Sequence, residues 1–86
     1  MRKIRKQTIC NYFILFGFIF KFYSDDHEPV HVHIVKDGHE AKYNVVPEVT
    51  QVYNHGFKKS EIKMIEAVIE ENVEVIIDRW NNYFEH

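Results

Sequence analysis

Apolar and polar residues alternate along Val30–Lys36 and again along His39–Val45, on either side of Asp37-Gly38. An Asp-Gly pair between two alternating runs is a strong signal for a two-residue hairpin turn. Successive strand side chains point to opposite faces, so closing the turn there sets a register. Val30 then faces Val45, Val32 faces Tyr43, and Ile34 faces Ala41 on one apolar side. On the other side His31 faces Asn44, His33 faces Lys42, and Val35 faces Glu40, while Lys36 pairs with His39 at the turn. Both arms agree on which face is core, and a slip of one residue would destroy that agreement.

The segment before the hairpin is apolar on both alternating faces. Tyr12, Ile14, Phe16, Phe18, Phe20 and Phe22 fall on one, and Phe13, Leu15, Ile19 and Tyr23 on the other. This predicts a strand covered on both sides, or covered in part by a second subunit. Gly17 interrupts the run and marks either a bulge in one bent strand or the corner of a hairpin. Ser24–Pro29 is a polar loop, with Pro29 barring helix. Beyond Pro47, Glu48–Tyr53 alternates weakly as a short edge strand, and Asn54-His55-Gly56 is a turn. Then Ile62, Ile65, Val68, Ile69, Val73, Ile76, Ile77, Trp80 and Phe84 recur at steps of three and four, the period of a helix with one buried stripe. Ser60 is the expected N-cap, with Glu61 in the first turn. The helix runs to Phe84, and Asn72 is where a break would fall.

The expected fold is therefore α+β: a small antiparallel sheet of three or four strands packed against a long C-terminal helix. The 86 residues form one domain, with strands over 7–53 and helix over 58–84. Residues 1–6, which include Arg2, Lys3, Arg5 and Lys6, form a flexible basic arm. A hydrophobic content of 45% argues against disorder. A formal charge of −2 gives no general attraction to nucleic acid, although the C-terminal third is acidic and the N-terminus basic. The single cysteine, Cys10, excludes an internal disulfide framework and suits a reducing, cytoplasmic setting. The basic start followed by apolar Ile9–Phe20 imitates a secretory signal. It is too short to span a bilayer and lacks a small-residue cleavage site, so it reads as an internal strand with no membrane role.

Candidate chemistry concentrates at His31 and His33, side by side on the face opposite the apolar one. Three readings stand. Neutral imidazoles two apart on a strand can share a divalent metal, with His27 as a third ligand and Asp25 or Asp26 nearby. Alternatively the pair acts as acid and base on a phosphate, with Lys42 stabilising developing charge, in a small RNA- or nucleotide-directed hydrolase. The third reading is a solvated outer sheet face or a subunit contact. Lys42 opposite His33 disfavours a bare dication and suits an anion. His39 and His55 read as turn residues, His86 as solvated, and Trp80, Tyr83 and Phe84 as core or dimer contacts. No phosphate-cradling glycine loop, nucleophile elbow or zinc-finger spacing occurs.

Gly17–Ser24, Asp26-His27-Glu28-Pro29, His31-Val32-His33 and Glu40-Ala41-Lys42-Tyr43, followed by Gly56-Phe57, the Ile62–Ile77 stripe and Trp80, together resemble the small bacterial domain-of-unknown-function family 4160. The resemblance covers about residues 7–84. Val30 stands where a second proline is common, Lys58 stands where Ser or Thr would cap the helix, and Met1–Lys6 extend beyond the usual start. The resemblance implies no activity. It does imply a gene neighbour encoding another small protein, in the manner of a toxin–antitoxin pair. On that basis the expected function is a cytoplasmic interaction or regulatory module, acting as a homo-oligomer or with the neighbouring gene's product.

Overall fold

Asp37 and Gly38 both take left-handed backbone angles, φ 51° and 81°, closing the hairpin where the alternation places it. The computed structural model describes residues 12–23 and 26–84. The flexible arm expected at 1–6, the strand start at 7, Cys10, Asp25 and His86 lie outside them. Five strands follow in order: β1 (Tyr12–Leu15), β2 (Phe18–Lys21), β3 (His31–Lys36), β4 (His39–Asn44) and β5 (Thr50–His55). They form one antiparallel sheet in sequence order. Every β3–β4 pair read from the alternation is present, from His31–Asn44 to Lys36–His39. The Val45 amide also donates to the Val30 carbonyl at 2.9 Å.

The sheet has five strands rather than three or four, because Gly17 is a hairpin corner and residues 50–55 pair with β4, with a register shift at Lys42/Tyr43. Phe16 (φ 54°) and Gly17 (φ 83°) make the same kind of turn as Asp37-Gly38. Two turn residues return the chain with Leu15 opposite Phe18, which changes the division of faces. Phe13, not Ile14, joins the Phe18–Phe20–Phe22 side, stacking on Phe20 at 5.0 Å. Tyr12, Ile14, Leu15 and Phe16 are left exposed, so the described chain does not cover β1 on both sides as expected.

The helical region is two helices, α1 (Lys59–Glu71) and α2 (Val73–Phe84). Asn72 ends the first, its side-chain amide donating to the Val68 carbonyl at 2.7 Å and its main-chain carbonyl accepting from Ile76. Such a bond satisfies one of the carbonyls that a helix end leaves unpaired. The expected Ser60 cap is displaced: Lys58 is the N-cap, and Glu61 accepts its amide at 2.9 Å. A carboxylate three residues inside the helix supplies half of a capping box without a Ser or Thr.

One face of the sheet carries Phe18, Phe20, Phe22, Val32, Ile34, Ala41 and Tyr43 into a single core with Phe57, Ile65, Val68, Ile69, Ile76 and Trp80. Tyr43 reaches past it, its hydroxyl donating to Glu66 on α1 at 2.6 Å and accepting from Gln51. Arg79 ties α2 to the sheet edge, donating to the Tyr12 carbonyl at 3.2 Å and lying over the Phe13 ring.

Candidate functional site

Across the opposite face runs a cross-strand row of Tyr12, Lys21, His33, Lys42 and Tyr53, one from each strand. His33 sits at its centre with a lysine directly across on either side. His31 lies two residues earlier on the same strand, its ring 5.1 Å from that of His33. Neither histidine is solvated. They are only 3% and 5% exposed, which overturns the expectation of a wet outer face. The cover comes from residues distant in sequence. Tyr23 packs on the His33 ring at 4.3 Å, and Trp80, which also meets Phe22 on the core side, reaches the His31 ring at 5.1 Å.

Buried imidazoles need partners, and three of the four ring nitrogens have one. His31 Nδ1 lies 2.9 Å from the Pro29 carbonyl, which can only accept, so this nitrogen donates. His33 Nδ1 lies 3.1 Å from Glu40 Oε2. That carboxylate also accepts from the Tyr53 hydroxyl at 2.8 Å and the Tyr23 hydroxyl at 3.4 Å. Burial pushes the Glu40 pKa up, but the hydrogen bonds from Tyr53 and His33 outweigh it and hold the group below its ordinary value. Ionised Glu40 therefore accepts a hydrogen bond from His33 Nδ1. In a neutral imidazole with Nδ1 protonated, Nε2 carries a lone pair.

Both Nε2 atoms converge on one oxygen. Asp26 Oδ1 is 3.1 Å from His31 Nε2 and 3.3 Å from His33 Nε2. The Tyr23 amide donates to the other Asp26 oxygen at 2.8 Å and fixes the carboxylate. Burial raises the Asp26 pKa, yet the Tyr23 amide and the neighbouring imidazoles win, and the net shift is downward. His31 Nε2 is close to Asp26 but not aligned on it, and it is fully buried without a hydrogen bond. Unprotonated, the two nitrogens would repel the anionic oxygen, so the contacts need either a proton on the imidazole, as in the His33 Nε2–Asp26 hydrogen bond at 3.3 Å, or a cation between the groups.

The donor set suits a cation. The three ligand atoms all lie within 4.8 Å of one another. Tetrahedral zinc with bonds of about 2.0–2.2 Å separates its donors by about 3.3–3.5 Å, close to the two distances to Asp26. The Pro29 carbonyl and Glu40 hold the remote ring nitrogens, the usual outer-shell arrangement of metal-binding histidines.

Of the predicted site residues, the fold brings together His31, His33 and Asp26. His27 is exposed and outside the group. Lys42 is directly across from His33 and half-buried, and its ammonium makes no hydrogen bond or ion pair among the described residues. Glu40, Tyr23 and Tyr53 were missed as site residues. The hairpin register had already put Glu40 on the histidine face, one cross-strand pair from His33, and that was the available signal.

Fold and site together define a small α+β domain with a buried two-histidine, one-carboxylate cluster on the sheet face away from its core. The chain belongs to the family described as domain of unknown function DUF4160, whose profile matches residues 17–81. No curated protein and no solved structure matches it. Among the described residues no helix is long and apolar enough to cross a membrane.

Proposed function

We propose that this domain binds one divalent transition metal through Asp26 Oδ1, His31 Nε2 and His33 Nε2, with zinc the best match to the donors and their spacing. One observation carries the reading: each histidine has its Nδ1 committed to an acceptor, while both Nε2 atoms face the same ionised oxygen. Asp26 belongs to the β2–β3 connection and the histidines to β3, so the ion clamps that connection onto the sheet. Three protein ligands leave at least one coordination position for an outside group. The test is metal analysis and zinc titration calorimetry on protein purified without an affinity tag. One equivalent bound, and none in the Asp26→Asn, His33→Asn variant, supports the site. Failure to take up zinc at pH 7.5 while the protein stays folded removes it.

A second reading is the interaction module that the family resemblance implies. Tyr12, Ile14, Leu15 and Phe16 favour it, exposed apolar residues of the edge hairpin, with Phe16 67% exposed. Co-expression with the neighbouring gene's product and size-exclusion chromatography tests it, and separate elution at micromolar concentration counts against it.

A further inference from the structure

We infer that the open position of this metal site takes a dianionic phosphate group, either inorganic phosphate or a small phosphate monoester, held in place by Lys21 and Lys42. The inference rests on the metal reading above and adds the class of ligand to it. Its basis is the charge around His33. Lys21 and Lys42 face that residue from the two neighbouring strands, and both are half-buried. Directly opposed strand residues have Cβ atoms about 4.5–5.5 Å apart, well within the reach of a lysine side chain.

Neither ammonium pairs with a carboxylate among the described residues. The Lys21 ammonium lies over the face of the Tyr23 ring, 4.9 Å from its centroid. The two nearby carboxylates are already engaged, Asp26 with both imidazoles and Glu40 with His33, Tyr23 and Tyr53. Two carboxylates and two ammoniums cancel, and neutral ligating imidazoles add nothing. A divalent ion then leaves two positive charges uncompensated on a half-buried surface.

Water in the open position would leave that excess standing, and a carboxylate would remove half of it. A phosphate monoester removes nearly all of it, because its second ionisation, near pH 6, gives close to two negative charges at neutral pH. Its oxygens also match the two partners in kind: one coordinates the metal, and the others accept from ammonium donors. A phosphate diester keeps a single charge and has fewer free oxygens. Lys21, Tyr23, Glu40, Lys42 and Tyr53, which neighbour the buried histidines, are all partly exposed.

The experiment uses the full chain loaded with cobalt(II), whose absorption bands report the metal directly. Inorganic phosphate, phenyl phosphate and dimethyl phosphate are then titrated in while the phosphorus-31 linewidth is followed. Coordination to paramagnetic cobalt broadens the signal of a bound phosphate. The expected result is saturable broadening with the first two probes, and binding at least tenfold weaker with the diester. The Lys21→Gln, Lys42→Gln variant should keep its cobalt spectrum and its circular dichroism while losing at least tenfold in phosphate affinity. A normal cobalt spectrum with unbroadened phosphate overturns this inference and leaves the metal site standing. Equal affinity for monoester and diester, or full phosphate binding by the lysine variant, also overturns it. Absence of cobalt binding removes the metal reading and this one together. Phosphate binding without phenyl phosphate binding confines the site to the free ion.

Discussion

On the core face of the sheet, Phe20, Ile34 and Ala41 reach complete burial against Ile65, Ile69 and Ile76. On the other face His31 and His33 are almost as deeply buried, but beside Asp26, Glu40 and two tyrosines. The first face is satisfied by volume alone, because apolar side chains gain from leaving water in whatever direction they point. The second is satisfied only atom by atom, since each polar group there must find a partner of the right sign. Deep burial therefore means stability on one face and specificity on the other. The one fully buried side-chain nitrogen or oxygen left without a hydrogen bond among the described residues, His31 Nε2, lies on the second.

The comparison breaks most readily on the core side. Phe20→Ala removes a fully buried ring that Phe13 and Phe18 both pack against. It should cost about 3–5 kcal/mol in urea unfolding, a large part of the stability of a domain this small. It should do so equally with and without zinc, because it touches only the face packed by volume. A larger loss in zinc would show that the two faces are not independent.

Tyr43 joins the two kinds of burial, with an apolar ring in the core and a hydroxyl in a polar contact. Burial and the Glu66 carboxylate push its phenol up to about 12. Below the ordinary phenol value near 10 the group is neutral in both states, and its contribution to stability is fully present. Between about 10 and 12 the unfolded chain loses the proton while the folded one keeps it. Stability therefore falls as pH rises, by up to roughly 1.4 kcal/mol per pH unit from this one group. Urea titrations at pH 9, 10 and 11 should show that decline, and Tyr43→Phe should have a shallower one. Parallel declines in the two proteins would mean the phenol does not stay neutral in the fold.

On the polar face Glu40→Gln sharpens the contrast. Glutamine keeps the volume and an acceptor for His33 Nδ1, but it loses the charge that makes the imidazole a better ligand. Zinc affinity should fall about 10–100-fold, with a smaller loss of stability in the metal-free protein as the bonds from Tyr53 and His33 lose their charge. Calorimetry separates that from a core defect, which would lower stability and leave the zinc constant alone.

How much of each face was legible follows from the same contrast. The core face needs only periodicity, and Val32, Ile34, Ala41, Tyr43 and the helical stripe were assigned correctly from spacing. The histidine face needs partners at long range. Asp26 comes from a non-repetitive loop, Tyr23 from just beyond β2, and Tyr53 from β5 across a register shift at Lys42/Tyr43. Trp80 comes from the last helix. No local pattern announces that these meet over β3, so the histidines were placed on the right face with the wrong solvent exposure. Glu40 was the exception, since parity along β4 already set it beside His33.

The smallest effect tests the two hairpins against each other. Both turns put their first residue in the left-handed region, Asp37 at φ 51° and Phe16 at φ 54°. Asp tolerates that conformation through its short polar side chain, whereas a residue such as Phe is held there at a cost of about 1–2 kcal/mol. Phe16 gains little in return, being 67% exposed. Phe16→Asn creates the Asn-Gly sequence that this turn prefers, and it should stabilise the isolated protein by about 0.5–1 kcal/mol. For a domain of this length that is a rise of about 2–8 °C in Tm, measurable by circular dichroism. The partner assay then gives the variant a second use. Higher Tm with loss of co-elution would assign the exposed ring to the partner contact, stability having been given up for binding. Higher Tm with co-elution intact would detach Phe16 from that role, and a lower Tm would show that the ring packs on its own domain after all.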